Sequence, residues 1–120
     1  MAAPRVLLTG AGGFLGAMFR YGVSLAFAGS GFPIATLVVN VVGSFVIGLL
    51  AGWVETGALE EAHRQFLVIG LLGALTTFST FSLETLYLLR AGSYVAAGAS
   101  VALNVVLALG AARLGLAITG

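Results

Sequence analysis

Four stretches of this 120-residue chain, spanning residues 6–27, 34–54, 65–83 and 91–112, contain a single charged side chain among them, Arg20. A helix that crosses the hydrocarbon core of a bilayer needs roughly 20 consecutive apolar residues, and each stretch is about that long. A soluble domain is about 25% charged and 45–50% apolar, whereas this chain is 8% charged and 60% apolar with a mean hydropathy of +1.15. The spacing therefore predicts an all-α membrane protein with four transmembrane helices, near residues 5–27, 34–54, 65–90 and 94–117. Residues 1–120 are read as one four-helix transmembrane domain, multi-pass in the cell (inner or plasma) membrane. No polar–apolar alternation runs through these segments, which argues against a β-barrel.

The charges limit the partners. Five Arg stand against four Glu, with no Lys and no Asp, so no basic tract points to nucleic acid. Without cysteine there is no disulfide, thiolate nucleophile or thiolate metal site. Arg5, Arg64 and Arg113 fall on one side of a four-crossing chain, and Arg20 and Arg90 on the other. That near-even split gives insertion almost no preferred orientation, and two copies could pair antiparallel.

The 18 glycines suit a membrane helix bundle, where small residues allow close backbone approach. Gly12-xxx-Gly16 and Gly48-xxx-Gly52 have the spacing for it. Gly29 to Pro33 predicts a turn, and Trp53 suits the interface. Glu55, Glu60, Glu61, His63 and Arg64 make the 55–65 segment a water-exposed connection. The first segment also contains Thr9-Gly10-x-x-Gly13-x-x-Gly16, the pattern of a dinucleotide-binding turn. That chemistry needs a βαβ unit and an acid about 20 positions on. No acid precedes Glu55, so the glycines are read as a smooth helix face.

Gly70 to Ser82 carries the strongest local signal. Thr76, Thr77, Ser79, Thr80 and Ser82 offer the backbone rival hydrogen bonds and lower helix propensity. The run fits either a mid-membrane helix break, with freed carbonyls available to a hard cation, or a continuous helix whose hydroxyls bond back to the preceding turn. Phe78 and Phe81 share a face, and electropositive ring edges can line an anion path without trapping the ion. Packing against lipid or protein is the alternative use of such rings. Asn40 in the second segment and Asn104 in the fourth either join helices or present an amide to an anion. Arg20 and Glu84 are ionisable groups near the ends of the first and third segments, where charge marks a pathway or snorkels outward. No HExxH, carboxylate pair or triad-like grouping occurs, so a membrane hydrolase lacks its reagents and the chain is read as no enzyme.

Three pieces together resemble the Fluc (CrcB-type) fluoride channel family. They are Gly12-Gly13 through Gly16-Ala17-Met18-Phe19-Arg20-Tyr21, then Asn40-Val41-Val42-Gly43-Ser44-Phe45, then Gly73-Ala74-Leu75-Thr76-Thr77-Phe78-Ser79-Thr80-Phe81-Ser82-x-Glu84. The resemblance implies a dual-topology antiparallel homodimer with helix three broken mid-membrane and two pores that passively export fluoride. It also implies a structural, untransported Na+ held by the carbonyls of Gly73 and Thr76. Phe78 and Phe81 would line the pore, Asn40 would be a pore donor, and Ser79 and Thr80 neighbouring polar contacts. Arg20 and Glu84 would stand at the pore ends. Ser100 and Asn104 could continue a polar track on helix four, but Ala108, next on that face, cannot. A proton-coupled small multidrug or guanidinium exporter is the rival four-helix reading. Such carriers typically use a carboxylate in helix one, where this chain has Arg20 and no acid.

Overall fold

The computed structural model describes residues 2–120. Four helices are long and apolar enough to cross a membrane. They are α1 (Ala2–Ala26), α2 (Ile34–Glu55), α3 (Glu61–Arg90) and α4 (Tyr94–Thr119). The molecule measures 49 × 30 × 22 Å, long enough for a bilayer with its headgroup regions, about 40–45 Å. Each connection carries one glycine in the left-handed region: Gly29 (φ 86°), Gly57 (φ 78°) and Gly92 (φ 79°). A helix that turns back within a few residues needs such a residue just past its end.

Helix α3 starts earlier than expected. Glu61, His63 and Arg64, read from sequence as part of the watery connection, form its first turn. Glu61 accepts from Arg64 Nε at 3.2 Å and from Gln65 Nε2 at 2.9 Å. An acid there also favours the helix N-terminus. Residues 65–72 then adopt π-helix, Gly73–Leu75 return to α-helix, and Thr76 turns extended (φ −82°, ψ 154°). Helix resumes at Ser79–Arg90. The break, one of two conformations the sequence allowed, is therefore present, with a first arm over residues 61–75 and a second arm, Ser79–Arg90.

Glycines set the two main crossings. Gly48 and Gly52 of α2 lie against the backbone at Ala112, Leu116 and Thr119 of α4, and Gly115 returns the contact at Phe45 to Leu49. The Thr119 hydroxyl donates to the Leu49 carbonyl at 2.7 Å. Gly12 and Gly16 of α1 meet Phe66, Gly70 and Leu71 of the first arm. At each of these positions a methyl group would run into backbone atoms.

Few large apolar side chains are buried. Val39, Leu50, Leu72 and Phe81 are, whereas most of the others are exposed. Lipid removes the hydrophobic reason to hide them, so small-residue packing organises this fold.

Candidate functional site

The break in α3 frees backbone groups that hydrocarbon cannot satisfy. Ending a helix leaves up to four carbonyls unpaired, and restarting it leaves up to four N–H groups unpaired. Two other parts of the chain and two hydroxyls of the break itself answer. Asn40 of α2 makes a two-point clamp on Thr77: its Oδ1 accepts the Thr77 N–H at 2.8 Å, and its Nδ2 donates to the Thr77 carbonyl at 3.1 Å. Arg20 of α1 reaches over with its Nε to the Ala74 carbonyl at 3.0 Å. A cation at the C-terminal end of a helix also complements the dipole. Thr77 caps the second arm, its Oγ1 accepting the Thr80 N–H at 3.2 Å. Thr76 Oγ1 donates back to the Leu72 carbonyl at 2.9 Å. The carbonyls of Gly73, Leu75 and Thr76 are left without a hydrogen-bond donor among the described residues.

Gly43 sets how closely this loop can approach α2. A Cβ there would collide with Thr76 Cγ2, so only glycine admits the extended residue at that depth. The second nitrogen hydrogen of Asn40 goes to Asn104 Oδ1 of α4 at 2.9 Å, and Asn104 Nδ2 donates to the Ser100 carbonyl at 2.8 Å. Both hydrogens of the Asn40 amide are thus engaged within the chain. Of the two uses the sequence left open, the geometry displays helix joining. An anion at Asn40 would have to displace one of these bonds.

A cleft of about 320 Å³ opens beside the break. Asn40, Gly73, Thr76, Phe78, Phe81 and Asn104 all line it, together with Gly43, Ser44 and Thr77, which the sequence reading gave no role of their own. Ala108 lines it too, as the apolar interruption on the helix-four face. No charged residue is among its walls. The rings of Phe78 and Phe81 sit 5.5 Å apart and tilted by 56°, within the range of favourable aromatic pairs. Phe81 is 8% exposed and Phe78 is 78% exposed, so one ring is fixed in the wall and the other projects from the chain.

The remaining candidates lie outside that lining. Ser79 is exposed, its Oγ 3.4 Å from that of Thr77, and Thr80 is half-buried. Ser100 is 1% exposed, and its hydroxyl has no partner among the described residues. Glu84 has one buried carboxylate oxygen that likewise lacks a partner. Arg20 is half-buried and tied to the break.

Residues 7–116 match the CrcB-like proteins (camphor resistance, CrcB). The chain belongs to the CrcB-like family. A fluoride-specific ion channel FluC of Shewanella amazonensis is 47% identical over 113 residues, covering 92% of this chain and 91% of that protein. One of Vibrio parahaemolyticus is 48% identical over 108 residues, covering 87% and 85%. One of Shewanella pealeana is 47% identical over 103 residues, covering 83% of each. The family match takes in α2, α3 and all but the last turn of α4, so the CrcB-like region includes the whole cleft and the groups that hold the break.

Proposed function

We propose that this chain is a fluoride channel that passively exports fluoride across the cell membrane. The observation that carries the reading is the uncharged cleft at a mid-helix break, walled by amides, hydroxyls and two phenyl rings. Its family relatives, named as fluoride-specific channels, support the choice of ion. Stripping water from a small ion costs tens of kcal/mol by Born estimates, and neutral donors with ring edges offset that cost. A fixed charge at mid-pore would hold the ion too tightly for rapid exit.

The working unit of this reading is an antiparallel, dual-topology homodimer with two pores. The cleft is open along one side of the single chain, and the exposed Phe78 ring stands at its edge, so a second copy would supply the missing wall. Phe78 at the break and Ser79, Thr80 and Phe81 on the second arm line the path, with Ser100 and Asn104 across it on α4. Asn40 contributes at the same level while it holds Thr77. Arg20 and Glu84 stand toward the ends.

The residues also fit a structural Na+. Gly73 and Thr76 both border the cleft, and their carbonyl oxygens have no donor among the described residues. Hard cations take oxygen ligands of this kind, and two copies meeting at their breaks would offer four such oxygens. Bound there, Na+ would neutralise carbonyl dipoles that lipid cannot.

The rival proton-coupled exporter needs an embedded carboxylate in the substrate path, and the cleft has none. Purified protein in fluoride- or chloride-loaded liposomes separates the two, with release followed by ion-selective electrode. Fast fluoride release without a proton gradient, and far slower chloride release, is expected. Equal chloride flux, or flux that requires a proton gradient, refutes the assignment.

A further inference from the structure

A second cleft, about 340 Å³, continues from the first along α2 and the first arm toward the α2–α3 connection. The two share Ile47 and Val68, so together they form one groove from the break to the membrane surface. Its outer end holds Glu55 and Arg64 above Ala51 and Val54. Arg64 is already paired with Glu61 at 3.2 Å. Glu55 has no hydrogen-bond or ion-pair partner among the described residues, and it is the groove's uncompensated charge.

The second arm of α3 has the complementary form. It packs on its own chain chiefly through Phe81, its one buried residue. Leu83, Leu86 and Tyr87 lie 48%, 60% and 53% exposed, and Arg90 shares their face at three- and four-residue spacing. Arg90 lies 5.8 Å from the centroid of the Tyr87 ring and has no ion-pair partner among the described residues. The arm's 12 residues extend about 18 Å at the α-helical rise. The 12 positions from Arg64 to Thr76 run a similar distance to the opposite side of the break, slightly shortened by their π turns. A two-fold axis lying in the membrane plane through the break therefore brings Arg90 of the partner subunit to the depth of Glu55.

We propose that the groove seats the partner's second arm, with Glu55 paired to the partner's Arg90 at each end of the dimer. This rests on the antiparallel reading given above. The pair acts mainly on orientation. In a parallel dimer Glu55 would face the level of a second Glu55, and Arg90 that of a second Arg90, so like charges oppose that arrangement.

The chain's lack of cysteine makes cross-linking direct. Glu55→Cys and Arg90→Cys chains carrying different tags are co-expressed, purified as full-length protein and treated with a short bismaleimide. Mass and labelling from both faces of sealed vesicles report dimerisation and orientation independently. The expected result is an Glu55→Cys/Arg90→Cys cross-link, with no product from either variant alone. In addition, Glu55→Arg and Arg90→Glu each weaken dimerisation severalfold, and the double exchange restores it. A dual-orientation dimer that yields no such cross-link, or whose double exchange stays as weak as the singles, overturns the pairing while leaving the antiparallel reading intact. A monomer, or a single orientation, overturns both.

Discussion

The Asn40 clamp gives the sharpest test of how the break is held. Asn40→Leu keeps the branched four-atom skeleton while removing three hydrogen bonds, two to the Thr77 backbone and one to Asn104. At the usual net value of about 0.5–1.5 kcal/mol each, the sum is roughly 1.5–4.5 kcal/mol. Interhelical hydrogen bonds measured inside a membrane average nearer 0.6 kcal/mol, which pulls the expectation toward about 2 kcal/mol. Asn104→Leu removes only one of the three and an intrahelical bond to Ser100, so it should cost about 1 kcal/mol. Reversible denaturant unfolding in detergent micelles measures both, and the double variant gives a coupling of about 0.6–1.7 kcal/mol if the amides bond directly. Fluoride release from liposomes should fall further for Asn40→Leu than for Asn104→Leu, because only the first frees Thr77. If Asn40→Leu costs no more than Asn104→Leu in both stability and flux, the clamp does not hold the break and the reasoning fails.

Gly43→Ala should destabilise by about 1–3 kcal/mol through overpacking, because its methyl meets Thr76 Cγ2. Gly98→Ala on α4, with open space around it, should be neutral or stabilising in the same unfolding assay; equal costs at the two sites would refute the packing argument. Arg20→Gln should cost about 1.5–3 kcal/mol, the range for hydrogen bonds to charged groups, and slow fluoride release. Arg20→Lys keeps the charge but loses the guanidinium geometry aimed at Ala74, so full recovery by Lys would show that charge alone matters. Phe78→Ile and Phe81→Ile should both slow fluoride release. Only the second should lower stability, by up to about 1.5 kcal/mol, since Phe81 alone of the two is buried; unchanged flux in both removes the rings from the path.

Side chains with one clear physical use were legible in advance. Apolar runs between charges located four helices to within a few residues, and the Gly48-xxx-Gly52 spacing anticipated the tight α2–α4 crossing. The hydroxyl run at Thr76 to Ser82 marked where a helix could fail, yet composition alone could not decide whether it would. That decision belongs to Asn40 and Arg20, which lie 37 and 54 positions away from the groups they bond. Neither distance leaves a periodic trace in a single sequence. The π turns of residues 65–72 were equally hidden, because a run of apolar residues suits α- and π-helix alike. Glu61, His63 and Arg64 were misplaced into the connection because charge was weighed as a sign of water, when the same charges also close a first helical turn.

The break and the cleft answer one constraint. A helix interrupted at membrane depth exposes carbonyls and N–H groups, and irregular backbone survives there only when protein or a polar cavity receives it. This chain covers the Thr77 groups with an amide and the Ala74 carbonyl with a guanidinium. It leaves the carbonyls of Gly73, Leu75 and Thr76 without a donor among the described residues, and Gly73 and Thr76 line the cleft. If those oxygens faced lipid, each would cost several kcal/mol. On the antiparallel reading proposed above, a second copy related by an in-plane two-fold would close the cleft and share a cation among the bare carbonyls. It would also set the exposed Phe78 ring against a protein wall. On that reading, the unsatisfied atoms that would make a single copy costly in lipid are the ones a partner would cover, which ties closure of the cleft to the break itself.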